Sequence, residues 1–409
     1  MSFFGNRIAY RDGPNLDAMA RLRVSSPATL FASKCQYNAE PLQLEVGATG
    51  TGVAGIHSAN NRMVALAVTA GTGTSFLQSY EYVPYQAGKS QRILIGGLIG
   101  AAVSGAIVDV GAFDASNGIL LRQNGTAGLQ LLRRTNASGT VVEHVVPQES
   151  WNLDALDGAG KSGISLDVTK VFALIIDLQL GVGRVRAGFI FGGEIVYAHE
   201  FLIANLVSLP LMQNMSMPIG MLVTAASTAA SRTAYFKYGE VSSEGGITED
   251  IGYTFSTPEM TVTAGSGTAT HLLSLRPATT FNGITNRIKV RVDAVDIAVT
   301  GTNPVLWQLC AGSTFSAGPT YSAVDSTYSG MQYSSVVGTL SALGIIIASG
   351  YVSASGAIKG AVRGDIASRY PISLDRAGAV RSLGTLSLNV TGLGGTSATR
   401  ATMTFTEIR

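Results

Sequence analysis

Residues 287–299, RIKVRVDAVDIAV, open by placing Arg287, Lys289, Arg291 and Asp293 on one side of an extended chain and Ile288, Val290 and Val292 on the other. Side chains alternate between faces along a strand, so a period of two describes a strand with one face in a core and one in water. TLSLNV (385–390) and ATMTFTEI (401–408) repeat the design with Thr, Ser and Asn outward. SGISLDVTKVFALIIDLQL and GRVRAGFIFGGEIVYAHEF read as consecutive strands joined by tight glycine turns. No amphipathic helix longer than about three turns stands out. The expected fold is all-β: two β-sandwich or jelly-roll-like domains preceded by an extended N-terminal arm.

One stretch tests that expectation. RILIGGLIGAAVSGAIVDVG (92–111) has no charge from Ile93 to Val108, and Gly96 and Gly100 stand at the small-xxx-small spacing of packed membrane helices. A spanning helix needs about 20 mostly apolar residues, and Arg92 and Asp109 bracket fewer. Each glycine would cost a soluble helix roughly 1 kcal/mol. No Lys-Ser/Thr or Gly-x-Gly-x-x-Gly pattern follows to cradle a phosphate. Two short buried strands joined at a glycine turn or bulge, with glycine where the backbone bends or another strand comes close, fit best.

The arm is expected over residues 1–45, which are richer in Asp, Asn, Arg and Pro and lack clean alternation. VSSEGGITEDIG (241–252) is acidic and glycine-bearing between two strand-like runs, which places a first domain at 46–242 and a second at 252–409. Charged residues make up 13% of the 409, against about 25% in ordinary globular chains. Hydrophobic residues make up 46%, so disorder is excluded and a weakly charged surface is implied. Such a surface keeps a lone monomer poorly soluble, and burial against neighbouring subunits is one remedy. A net charge of +2 without a Lys/Arg cluster speaks against a nucleic-acid partner. The pair Arg133-Arg134 reads as an exposed loop. The N-terminus lacks the apolar core and cleavage site of a secretory signal.

Local motifs for chemistry are scarce. His57, His144, His199 and His271 are far apart and form no metal-ligand spacing, and Cys35 and Cys310 read as small buried hydrophobes. No nucleophile elbow occurs. The densest acid cluster, Glu149, Asp154, Asp157 and Asp167, has three readings: paired carboxylates for glycoside hydrolysis, oxygen ligands for calcium, or, most plainly, turn chemistry. Whether Asp154 and Asp157 bind a metal stays open at this point. Asn124, Asn136, Asn214 and Asn389 stand in glycosylation sequons at a frequency that a Ser/Thr-rich chain reaches by chance. Trp151 and Trp307 read as core anchors. The expectation is a chain that is not an enzyme, with no catalytic, cofactor-binding or metal site.

Several segments resemble a family of virion structural proteins from tailed bacteriophages. DAMARLRVSSPATLFASKCQYN (17–38) is similar to that family's opening signature. YQAGKSQRILIGGLIG (85–100), SWNLDALDGAGKSGISLDVTK (150–170) and LGVGRVRAGFIFGGEIVYAHEF (180–201) follow in order. LLSLRPATTFNGITNR (272–287), IASGYV (347–352), RYPISLD (369–375) and a closing EIR continue the likeness over nearly the whole chain. The chain departs from the pattern at Ala20, Ala32 and Cys35 beside Lys34. The resemblance implies a capsid- or tail-associated particle component without enzymatic activity, present in many copies, assembled in the host cytoplasm and carried in the virion. It brings no catalytic residue. The expected partners are copies of the chain itself and other virion proteins, with neither membrane nor nucleic acid. The alternative is a receptor- or carbohydrate-binding fibre or decoration protein engaging a host surface glycan. That reading needs exposed aromatics near Asp or Asn on loops, and its candidates are Tyr80, Tyr82, Tyr85, Tyr321, Tyr328 and Tyr333.

Overall fold

The structure, a computed structural model, describes residues 27–179, 183–244, 252–361 and 370–409. Among them there is no α-helix, and hence no helix long and apolar enough to cross a membrane. The fold is all-β and sandwich-like, as the alternation predicts. Close packing divides the chain into two compact units, one of residues 1–79 and 83–249, the other of 80–82 and 250–409. Of the arm expected over 1–45, residues 1–26 lie outside the described residues. So does most of the 241–252 stretch, from 245 to 251.

The first unit contains β1 (Ala28–Ser33), β2 (Leu44–Ser58), β3 (Met63–Ser79), β4 (Ser90–Leu98), β5 (Ala106–Phe113), β6 (Gly118–Asn124) and β7 (Gly128–Thr135). It continues with β8 (Val142–Pro147), β9 (Phe172–Gln179), β10 (Arg184–Phe191), β11 (Glu194–Leu202), β12 (Ile219–Ala225) and β13 (Arg232–Ser243). One antiparallel sheet runs β11-β10-β9-β4-β13-β3-β12-β5-β6-β7-β8, with β1 added to β13 and β2 to β3. Residues 28–33 of the expected arm are thus a strand of this sheet, pairing Ala28 with Ser243 and Ser33 with Gly239. The sheet curls around a core that includes Leu66, Leu77, Ile95, Val108, Ile176 and Met221.

The glycine-rich stretch is two strands, but not a hairpin. β4 lies between β9 and β13, and β5 between β12 and β6. Residues 99–105 cross between them, and Gly100 turns at φ +87° while its N–H donates to the Val168 carbonyl at 2.9 Å. The β10–β11 connection is the expected tight turn. Gly192 and Gly193 both take positive φ, as a two-residue hairpin turn of this hand requires.

The second unit contains β14 (Tyr253–Ser256), β15 (Met260–Ala264), β16 (Thr270–Pro277), β17 (Thr280–Phe281), β18 (Ile284–Thr285), β19 (Lys289–Val299), β20 (Val305–Ala311) and β21 (Thr314–Ala317). β22 (Thr320–Ala323), β23 (Met331–Val336), β24 (Thr339–Ala342), β25 (Ile345–Val352), β26 (Ala357–Ala361), β27 (Leu386–Gly392) and β28 (Ser397–Ile408) complete it. One sheet runs β14-β28-β19-β26 with β15 also on β28, and a second runs β22-β23-β16-β27-β20-β25. Val292, Ile297, Met403 and Phe405 of the first and Leu273, Leu309 and Leu388 of the second share one core. Along β19 the buried residues are Val290 and Val292, then Ala294 and Val295, then Ile297 and Val299. The one-residue slip is a bulge between Val292 and Ala294, which resets the alternation.

Candidate functional site

The acid cluster folds as turns. The Asp154 side chain is buried and accepts the N–H groups of Leu156 (2.9 Å) and Ser162 (2.7 Å), one on each oxygen. Burial alone would raise this carboxyl, but those donors hold it below the usual carboxylate range. Asp157 accepts from the Ala159 N–H at 2.8 Å, and Asp167 from the N–H and hydroxyl of Thr169 at 2.9 and 2.5 Å. Each carboxylate therefore caps its own turn. Among the described residues no group of three or more His, Cys, Asp or Glu side chains is placed to hold a metal ion.

The histidines are separate as well. His199 and His271 are buried, and burial pushes both imidazoles down to about 4. His271 lies in β16 with Nε2 2.7 Å from Ser274 Oγ, which is the reach of a nucleophile–base pair. Its other nitrogen reverses that role. Nδ1 faces the Gly338 N–H at 2.9 Å, and an N–H can only donate, so Nδ1 is bare and Nε2 carries the proton. His271 therefore donates to Ser274, whose hydroxyl stands 2.7 Å from Ser387 Oγ. All three side chains are buried, and the arrangement pins the loop after β23 instead of activating a serine.

Charge sits where apolar residues would be expected. Arg133 and Arg134 are not in a loop: both lie on β7 and are largely buried, because that strand is covered on both faces. Arg122 of β6 grips Asp109 of β5 with two hydrogen bonds of 2.7 and 2.8 Å, and it also reaches Glu143 of β8 at 2.7 Å. Arg134 also meets Glu143, at 2.7 Å. Burial works to raise the Glu143 carboxyl, but the two arginines outweigh it and lower it overall. A second cluster spans β9 to β11. Asp177 Oδ2 takes hydrogen bonds from Arg186 (2.7 Å), Tyr197 (3.0 Å) and Gln179 (3.0 Å), and the Arg186 guanidinium lies 4.1 Å above the Tyr197 ring. Sequence reasoning missed both clusters. The available signals were a lone Asp inside the apolar run FALIIDLQ and the alternating arginines of GRVRAGF.

Most of the candidate tyrosines are covered. Arg381 lies over Tyr80 at 3.6 Å, Arg287 over Tyr82 at 4.5 Å and Arg276 over Tyr321 at 3.6 Å. Burial pushes the Tyr85 phenol up to about 12, and Tyr333 packs on the second core. Tyr328 alone of the six is open, 67% exposed beside Asp325, which accepts its N–H at 2.7 Å. Trp151 and Trp307 are buried in the two cores, both cysteines are buried and unbridged, and the sequon residue Asn389 is fully enclosed. One stretch of the second unit is nearly free of charge. Between Asp296 and Lys359 the only charged residue is Asp325, and Val336, Val337, Ile345, Ile346 and Tyr351 in that span face solvent.

Neither a family model nor a curated protein sequence matches the chain. Solved structures of similar course include a sialidase, with 8% identity and TM-score 0.32 over 54% of this chain and 19% of the sialidase. Others are a glycosyl hydrolase family protein from Mycobacterium fortuitum (12%, 0.35, 52% of this chain and 99% of that one) and an endo-1,3-β-glucanase from Streptomyces sioyaensis (9%, 0.36, 54% and 97%). The expectation of a chain that is not an enzyme is corrected on this point: solved structures of similar course include glycosyl hydrolase family proteins. The physical reason is that a site can be built from residues far apart in the chain, so a scarcity of local motifs does not exclude an enzyme. At these TM-scores the likeness transfers no residue and no activity to this chain.

Proposed function

We propose that the chain is a structural component of a tailed-phage virion, capsid- or tail-associated, that assembles in multiple copies. The observation that carries this reading is the surface of the second unit, where a run of 62 residues, 297–358, holds a single charge yet forms exposed strands. Water solvates such a surface weakly, and a neighbouring subunit is the natural cover for it. The ordered resemblance to virion proteins supports the same reading. Electron microscopy of the purified protein tests it: rings, tubes or sheets are expected, and dispersed monomers at high concentration overturn it.

A second reading has one observation in its favour. Tyr328 stands exposed beside Asp325 on the loop before β23, the pairing of aromatic face and polar group that a saccharide site uses. Under it the chain is a carbohydrate-binding fibre or decoration protein engaging a host surface glycan. Retention on immobilised host polysaccharide, lost in Tyr328→Ala, is the outcome it requires.

A further inference from the structure

We infer that the outer edge of β25 is the surface through which two copies of this chain join, strand against strand. The inference rests on the assembly reading above and names where the contact lies. Among the described residues, β25 ends the path of its sheet and pairs only with β20, so its other side presents unpaired backbone N–H and C=O groups. Proteins blunt such edges with charge, proline or shortness. The other path ends follow that rule. β11 carries Glu194 and Glu200, β8 carries Glu143 and Pro147, and β26 has five residues, while β14 and β22 have four each. β25 has eight residues, IIIASGYV, with neither charge nor proline.

Its side chains point to the same occupant. Ile345, Ile346 and Tyr351 are exposed, at 37, 47 and 67%. The partner edge must offer main-chain hydrogen bonds and an equally uncharged flank, since a charge facing this strand would lose its water without gaining a counter-ion. The flank of β25 is itself uncharged over residues 326–358, so a second copy meets both conditions. Antiparallel addition about a two-fold axis sets β25 beside its own image, the self-complementary geometry of an isologous contact.

Sedimentation velocity on the full chain tests the assignment. The variants are Ile346→Lys, with Tyr351→Lys as a second probe should the first misfold by circular dichroism, and Leu206→Lys as a control. Leu206 is an exposed apolar residue of the first unit, as open as Tyr351. The expected result is an assembled wild type and control, with a folded β25 variant that sediments as a smaller species. A β25 variant that assembles as fully as the wild type overturns this interface and leaves the assembly reading standing. A monomeric wild type overturns both. A monomeric wild type whose glycan retention is lost in the β25 variants assigns the edge to a saccharide and equally overturns the proposal.

Discussion

The carbonyl oxygen of Tyr235 in β13 stands so near Gly97 of β4 that a β-carbon on Gly97 would lie 2.6 Å from it. The neighbouring glycine differs. At Gly96 the nearest atoms to the added carbon belong to the ring of Tyr238, a side chain and not backbone. Gly97→Ala is therefore expected to destabilise the first unit by about 1–3 kcal/mol, as overpacking against backbone does, and Gly96→Ala by less. Urea unfolding of the two variants checks the order; equal losses would refute the distinction.

Acid should weaken the fold through two imidazoles. His199 and His271 titrate at about 4 when folded and at about 6.5 when unfolded. Between those values the unfolded chain holds the extra protons, so stability is complete above about pH 6.5 and is lost as pH falls toward about 4. At the acid end the loss approaches about 3 kcal/mol for each group. Unfolding free energies at pH 7 and pH 5 should differ less in His271→Gln than in the wild type, and parallel behaviour would rule out His271 as a contributor.

Arg122→Met should cost about 3–5 kcal/mol, toward the lower figure because Arg134 remains 3.7 Å from Asp109. The loss comes from leaving a buried carboxylate poorly paired, not from the worth of the pair itself. Adding Asp109→Leu is expected to restore much of the stability. A double variant no more stable than Arg122→Met would contradict this account.

Asp154→Ala removes the acceptor for two N–H groups of the 154–163 turn and should cost about 1–3 kcal/mol. Because the cluster caps turns, calcium and EDTA should leave the melting temperature of the wild type unchanged. A calcium-dependent rise abolished in Asp154→Ala would restore the ion-binding reading.

The strands were legible because each needs only its own alternation to announce one buried face. β19, β27 and β28 are read directly from residues 287–299, 385–390 and 401–408. The bulge in β19 between Val292 and Ala294 was not read, since one extra residue only interrupts the alternation that marks the strand. Which strands pair was not legible, since β4 and β5 are consecutive in the chain yet lie apart in the sheet. The same distance hid the ion clusters: Asp109, Arg122 and Glu143 sit on three strands, and each reads alone as an ordinary surface charge. His271 and Ser274 show the opposite case, close in sequence and in space, with their chemistry decided by Gly338, 67 residues away.

The path of the first sheet also fixes when this unit can form on the ribosome. Pairings that need neither β12 nor β13 yield three fragments: the β2–β3 hairpin, the β5-β6-β7-β8 meander, and β9-β10-β11 with β4 on its flank. β12 joins the hairpin to the meander, and β13 joins the hairpin to β4. These are the last two strands of the unit to be synthesised, so until residue 243 has left the exit tunnel the fragments wait with bare edges, slow to close and open to misassociation. A nascent chain stalled before Arg232 is thus a client for chaperones, and one released after Ser243 is a sheet.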